Sequence, residues 1–177
     1  MERFRRIESI ALPIPRSNID TDQILPARFL QKPRSGGFGQ FLFHDVDFLK
    51  DPRYGDAKVV VAGENFGCGS SRENAVWALY DHGFRVAIAP SFGDIFRSNC
   101  LKNGLLPVVL DTAAMLAAAP QTLAVDLESQ TVTLPDGTKL DFDVDPFAKH
   151  LLLNGVDELD YTLSRMREIE EFEQQRP

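Results

Sequence analysis

Short runs of apolar residues, separated by polar and turn-forming positions, divide the chain into small elements. Four such runs predict β-strands: Ile7–Leu12, Val59–Ala62, Arg85–Ala89 and Leu106–Leu110. Apolar residues at helical spacing predict helices over Asn74–His82 and Phe92–Lys102. The first strand should end at Pro13 and Pro15. Because strands and helices alternate through residues 59–110, we expect an α/β fold with a parallel sheet and crossover helices.

The final third of the chain has a different pattern. Three strands are predicted there: Thr122–Leu127, Gln130–Leu134 and Lys139–Phe142. A helix over Pro146–Leu153 should end at Asn154-Gly155, and Asp157 should begin one last helix. That helix leads into a charged tail over about residues 166–177, which predicts a solvated face or a frayed terminus.

The region between the first two strands is rich in turn-forming residues. Pro26 predicts the start of a short helix through Leu30, and Phe41–Phe43 should begin another. Between them, Gln31–Gly39 contains three glycines and a proline. We therefore expect a mobile loop over about residues 28–39. The alternative is an ordinary surface loop without a function.

The segment Gly63–Glu73 has the sequence GENFGCGSSRE and joins a predicted strand to a predicted helix. Its glycines permit a tight turn, and a helix start attracts anions. It lacks both the lysine of a P-loop and the Gly-x-Ser-x-Gly order of a nucleophile elbow. An anion-binding active site is predicted here, at the carboxyl end of a strand. The structural alternative is a capping box in which Ser70 caps the helix.

The position of Arg72 indicates that helix capping does not fully explain this segment. A positive charge in the first turn of a helix opposes the helix dipole. Arg72 should therefore have a ligand or a protein partner. The three histidines are scattered, and no Cys/His spacing predicts a metal site on this chain.

Composition indicates an ordinary globular domain. Apolar residues make up 44% of the chain and charged residues 25%, so disorder is not expected. The net charge of −7 argues against nucleic acid as a partner. No apolar run approaches the length of a signal peptide core or a membrane span. We expect a cytoplasmic protein with no membrane contact.

The two cysteines, Cys68 and Cys100, limit the cofactors that the chain could hold. A disulfide between them is not expected in a cytosolic protein. Cys68 is interpreted as a small filler residue on the glycine-rich segment. An iron–sulfur cluster needs three or four cysteines, so a cluster would have to come from another chain.

The motif Gly-x-Asn-Phe-Gly-Cys-Gly-Ser-Ser-Arg-Glu resembles the signature of the small subunit of 3-isopropylmalate dehydratase, the swivelling domain of aconitase-type hydro-lyases. Three further segments agree: Asn18–Pro26, Ala89–Pro107 and Asp145–Gly155. The resemblance implies a single three-layer β/β/α swivelling domain spanning residues 1–177. It also implies activity only with a large subunit, which would carry a [4Fe-4S] cluster, and a small-molecule substrate.

The resemblance further implies roles for individual residues. Ser70 would be the catalytic base, acting as an alkoxide. Ser71 and Arg72 would bind a substrate carboxylate, with Thr21 and Asp22 as a supporting shell. The alternative for Thr21 and Asp22 is an Asx-turn and a helix cap. Substrate choice would lie in the loop, and its candidate residues are Arg28, Phe29, Leu30, Arg34 and Phe38.

The expected reaction is isomerisation of 2-isopropylmalate to 3-isopropylmalate by loss and regain of water, in leucine biosynthesis. Two alternatives stay open. One is the small subunit of a related hydro-lyase acting on citraconate and methylmalate, or on homoaconitate. The other is a non-catalytic assembly module that binds a small anion. A nucleotide-binding protein is disfavoured because the P-loop lysine is missing.

Overall fold

The fold was analysed in a computed structural model that describes residues 1–175. Seven strands form one mixed sheet in the order β4-β3-β2-β1-β5-β6-β7. The strands are β1 Arg6–Ile14, β2 Val59–Ala62, β3 Val86–Ala89, β4 Leu106–Val109, β5 Thr122–Asp126, β6 Thr131–Thr133 and β7 Lys139–Asp141. The helices are α1 Thr21–Ile24, α2 Glu73–His82, α3 Asp94–Lys102, α4 Ala113–Ala117, α5 Pro146–Asn154, α6 Glu158–Ser164 and α7 Met166–Gln174.

Strand β1 joins the two halves of the sheet. Its second half pairs in parallel with β2, whereas its first half pairs antiparallel with β5. The prediction that β1 ends at Pro13 is wrong, because Pro13 lies inside the strand, opposite Val61. Proline is tolerated there because β5 begins at Thr122, opposite Ile10, and so does not extend alongside Pro13.

The parallel strands are buried on both faces. In β2, Val60 and Ala62 face a core that also contains residues of α2 and α3, whereas Val59 and Val61 face a second core. That second core includes Leu123 of β5 and other residues of the antiparallel strands. The sheet therefore curls so that its antiparallel half covers the parallel half. This arrangement confirms the predicted three-layer β/β/α fold.

Several element boundaries differ from the sequence prediction. A 3₁₀ turn at Ala27–Phe29 replaces the helix expected from Pro26, and another at Gly39–Phe41 precedes the one expected at Phe41–Phe43. Helix α4 was not predicted. The last helix is two helices, α6 and α7, which meet at Arg165. The predicted charged tail coincides with α7 as far as Gln174, and residues 176–177 lie outside the described part of the chain.

The carboxyl ends of β1, β2 and β3 meet at one edge of the sheet, because these strands are parallel. The segments that follow them begin at Pro15, Gly63 and Pro90. Ligands in sheets of this kind bind outside these ends. Among residues 1–175, no helix is long and apolar enough to cross a membrane.

Candidate active site

The glycine loop, defined as residues 63–72, is held between two neighbouring loops by backbone hydrogen bonds. Gly67 N–H donates to the carbonyl of Ile19 (2.7 Å), and Thr21 N–H donates to the carbonyl of Cys68 (3.0 Å). On the other side, Phe66 N–H donates to the carbonyl of Ser91 (3.0 Å). The path of the loop is thus fixed by main-chain groups, independently of most of its side chains.

Gly67 is required by packing within the protein rather than by a ligand. Its φ of +74° is one that L-residues rarely adopt. A Cβ atom at this position would lie 2.2 Å from the ring of Phe96, which is buried in the core beneath the loop. The glycines were expected to let the backbone approach a ligand closely. At Gly67 the group that approaches is instead an aromatic ring of the protein.

Ser70 and Ser71 lie at the surface, immediately before the start of α2. Both residues are exposed, and their side chains make no hydrogen bond to the described residues. The capping-box interpretation of Ser70 is wrong, because α2 begins at Glu73 and its N-cap is Arg72, without a side-chain cap. The two hydroxyls are therefore free to meet a ligand.

Arg72 has the protein partner that its unfavourable position predicted. Its Nη1 donates to Oδ1 of Asp22 (2.5 Å), and its side chain is only 20% exposed. The hydrogen bond from Arg72 lowers the pKa of Asp22, so Asp22 is a carboxylate at neutral pH. Within residues 1–175, the other guanidinium nitrogens of Arg72 donate to no group. A pair of donors therefore remains for a substrate carboxylate.

Thr21 supports the glycine loop from beneath. It is 1% exposed, and its Oγ1 donates to the backbone carbonyl of Ser70 (3.0 Å). The helix cap expected of Thr21 or Asp22 belongs instead to Asp20, which forms a capping box with Gln23. The structure thus brings together Ser70, Arg72 and the two shell residues that sequence analysis selected.

Residues 28–39 form the loop to which the family resemblance assigns substrate choice; we call it the specificity loop, and it begins beside this site. Asp22 Oδ1 also accepts a hydrogen bond from Ala27 N–H (3.1 Å), directly before Arg28. Arg28 forms a two-pronged pair with Asp45 at 2.6 and 2.5 Å. Phe29 stacks on Phe41 with ring centres 4.3 Å apart. Leu30 is partly buried against the same core.

The far end of the specificity loop lies on helix α2. Phe38 is 1% exposed and stacks on Trp77, so it is placed in the core rather than at a surface open to substrate. Arg34 pairs with Asp81 and lies over the Trp77 ring, 4.9 Å from its centre. The structure therefore separates Arg34 and Phe38 from Arg28, Phe29 and Leu30.

The cysteines do not form a cofactor site. Cys100 is fully buried, and burial raises the pKa of its thiol well above the ordinary range. Burial, with a contribution from Asp20, also raises the pKa of Cys68. No group of three or more potential ligands (His, Cys, Asp, Glu) is close enough together to bind a metal ion in residues 1–175. This donor set does not fit an iron–sulfur cluster.

Comparison with known proteins agrees with this geometry. The model of the aconitase C-terminal domain matches residues 1–113, and the model described as LeuD_N matches residues 113–146. A 3-isopropylmalate dehydratase small subunit from Dinoroseobacter shibae is 48% identical over 99% of this chain and 96% of its own length. One from Anaeromyxobacter dehalogenans is 49% identical over 98% of both chains. The chain belongs to the 3-isopropylmalate dehydratase small-subunit family. A solved structure titled 3-isopropylmalate dehydratase (leuD), from Methanocaldococcus jannaschii, has a TM-score of 0.78, 26% identity, and coverage of 95% of this chain and 99% of that one.

The motifs that resembled the 3-isopropylmalate dehydratase small subunit thus occur together in one folded domain of that family. It favours a hydro-lyase over the non-catalytic assembly module. Sequence analysis missed two aspartates that hold the specificity loop, Asp45 and Asp81. A signal for Asp81 was present, because a carboxylate in the last turn of a predicted helix is electrostatically unfavourable and calls for a cationic partner.

Proposed function

We propose that this chain is the small subunit of a two-subunit hydro-lyase that isomerises 2-isopropylmalate to 3-isopropylmalate in leucine biosynthesis. One observation carries the proposal. Ser70 and Ser71 are presented, exposed and unpaired within the described residues, beside a guanidinium that has donors to spare. A rigid loop at the carboxyl edge of three parallel strands holds all three residues.

Ser70 is proposed as the base that removes the carbon-bound proton of the substrate. A hydroxide leaves the neighbouring carbon, a double bond forms, and water then adds with the positions of hydrogen and hydroxyl exchanged. A serine in water is far too weak an acid to act as an alkoxide. Exclusion of water and nearby positive charge are therefore needed to stabilise the anion.

Arg72 and Ser71 are proposed to bind a carboxylate of the substrate. A guanidinium offers two parallel donors that match the two oxygens of a carboxylate. Asp22 holds Arg72 from the opposite side, and Thr21 fixes the backbone of Ser70. The supporting residues thus orient the two groups that would contact the substrate.

A large subunit is proposed to complete this site. The exposure of Ser70 in this chain supports that proposal, because a partner surface would exclude water from the hydroxyl. A [4Fe-4S] cluster on the partner, which the family resemblance implies, would supply the Lewis acid that takes the hydroxide. The two protonated, separated cysteines of this chain support the same assignment.

Reconstitution tests the function. The purified chain should be inactive alone, and mixing with a large subunit that carries its cluster should give isopropylmalate isomerisation, followed by interconversion of the two isomers. A complex with the Ser70→Ala chain is the matched control, and it should assemble but not turn over. Isomerisation by this chain alone in metal-free buffer would contradict the proposal.

A further inference from the structure

The specificity loop is fastened at both ends, and one carboxylate makes two of the contacts at its far end. Oδ2 of Asp81 accepts the backbone N–H of Phe38 (2.8 Å) and also pairs with the guanidinium of Arg34. We call these two interactions the Asp81 contacts. They close the turn from Arg34 to Phe38 around a single oxygen atom, with Gly37 at φ +68° between them.

The position of Asp81 in its helix is electrostatically unfavourable. Asp81 is the penultimate residue of α2, where the negative end of the helix dipole disfavours a carboxylate. Its side chain is only 18% exposed, so solvent does not fully screen that repulsion. The Asp81 contacts offset this disadvantage, since they bring a cation and an N–H donor to the same oxygen.

Close packing against α2 also holds the far end of the specificity loop. Gly39 packs directly on the helix end, where an added Cβ would lie 2.6 Å from the backbone nitrogen of His82. The Phe38 ring is buried beside Trp77. The exposed residues 31–33 therefore lie between two fixed segments, residues 28–30 beside Asp45 and the core, and residues 38–39 on α2.

Helix α2 links these contacts to the candidate active site. Arg72 is the N-cap of α2, and Asp81 lies in its last turn. One rigid helix thus carries both the proposed substrate-binding guanidinium and the anchor of the loop. Arg34 is engaged with Asp81 and Trp77, so it serves the loop rather than a second substrate carboxylate.

We infer that Asp81 is a positioning residue for substrate selection: its contacts with Arg34 and Phe38 hold the specificity loop in the conformation that discriminates the variable group of the substrate. The inference rests on the proposed function and on the assignment of substrate choice to this loop, which the family resemblance implies. It assigns to Asp81 no contact with substrate and no role in proton transfer. Loss of the contacts should therefore change substrate preference through KM and leave kcat largely intact.

Steady-state kinetics on the reconstituted complex tests the inference. With Asp81→Asn, the ratio of kcat/KM for isopropylmalate to that for citraconate should change by about fivefold or more, with kcat on isopropylmalate within roughly twofold of wild type. Arg34→Gln tests the same pair from the exposed side and should give the same shift. The double variant should add little to either. Asp47→Asn, which breaks the exposed pair with Lys50, is the matched control and should change nothing.

Hydrogen exchange on the chain alone provides a readout that does not need turnover. The amide of Phe38 should exchange roughly tenfold faster in Asp81→Ala than in wild type, whereas amides of β2 should be unchanged. Unchanged exchange at Phe38 overturns the inference. Faster exchange with an unchanged preference ratio also overturns it, because the contacts would then be structural only. A wild-type complex that turns over neither substrate refutes the proposed function itself, and the inference with it.

Discussion

The glycine loop and the specificity loop border the same site but are held in different ways. Main-chain hydrogen bonds to the loops after β1 and β3 fix the glycine loop. Side-chain ion pairs, Arg28 with Asp45 and Arg34 with Asp81, fix the specificity loop. The backbone of the glycine loop is thus held mostly by other backbone groups, and side chains add support at two points, Thr21 beneath Ser70 and Asp22 beside Arg72. The proposed substrate selectivity, in contrast, depends on ion pairs between side chains, which single substitutions can remove.

Replacement of Ser70 should have the largest effect on activity. Ser70→Ala should lower kcat by roughly a thousandfold or more, because the proposed base is lost. Its hydroxyl makes no hydrogen bond to the described residues, so the melting temperature should not change. Both are measured on the reconstituted complex and by calorimetry of the chain. Ser129→Ala, remote from the site, is the control. Near-normal turnover of the Ser70 variant would show that the base lies elsewhere.

Replacement of Gly67 should destabilise the glycine loop, which carries the proposed catalytic groups. Gly67→Ala places a methyl group inside the Phe96 ring at a positive φ, and should cost about 3 kcal/mol of folding free energy. Gly137→Ala is the matched control: its φ is +86°, but nothing lies within 4 Å. It should therefore cost only about 1 kcal/mol. Urea unfolding measures both, and equal losses would show that the Phe96 contact is unimportant.

Arg72→Lys should separate carboxylate binding from selectivity. Lysine keeps the charge but loses the planar donor pair, at a cost of about 1.5–3 kcal/mol, or roughly tenfold to a hundredfold in kcat/KM. The loss should be equal for isopropylmalate and citraconate, since both share the carboxylate. A large change in their ratio would place Arg72 on the variable group instead.

Leu30→Ala should have the smallest effect, and unlike Arg72→Lys it should change the preference between the two substrates. If Leu30 contacts the variable group, the preference for isopropylmalate over citraconate should fall by roughly fivefold, because apolar size discrimination is modest. Absolute activity on citraconate should change little. Gln31→Ala, its exposed neighbour, is the control. Equal loss on both substrates would assign the loop to the shared carboxylates.

The sequence predicted the elements that depend on local pattern. Strand β2 has the predicted bounds because a short apolar run between turn residues has few alternatives. The candidate site was placed after β2 on the glycine-rich motif, and the direction of the parallel strands agrees with that place. The predictions that were wrong failed because contacts distant in sequence determine those parts of the structure. Strand β1 continues through Pro13 because β5 is absent beside it, and Ser70 is not a cap because α2 starts at Glu73.

The residues of the candidate site could be selected from the sequence, but the contacts between them could not. Arg72 was expected to have a partner, and the family resemblance put Asp22 in the supporting shell, but the sequence does not show that the two side chains meet. Phe38 was a candidate for substrate contact because aromatic rings suit apolar groups. Its burial beside Trp77 depends on how the chain crosses α2, which periodicity does not report.

The hydrogen bonds around the glycine loop also constrain the order of folding. Ile19, Gly67 and Ser91 are distant in sequence, yet the loop has its shape only when all three segments are in place. Such non-local contacts form late, after the loops between them have closed. A form in which β1 and β2 are paired but β3 is undocked would lack the hydrogen bond from Phe66 to Ser91, and so would lack the complete site. When the refolding chain is assayed with its large subunit, activity should therefore recover with the docking of β3 rather than with the first collapse.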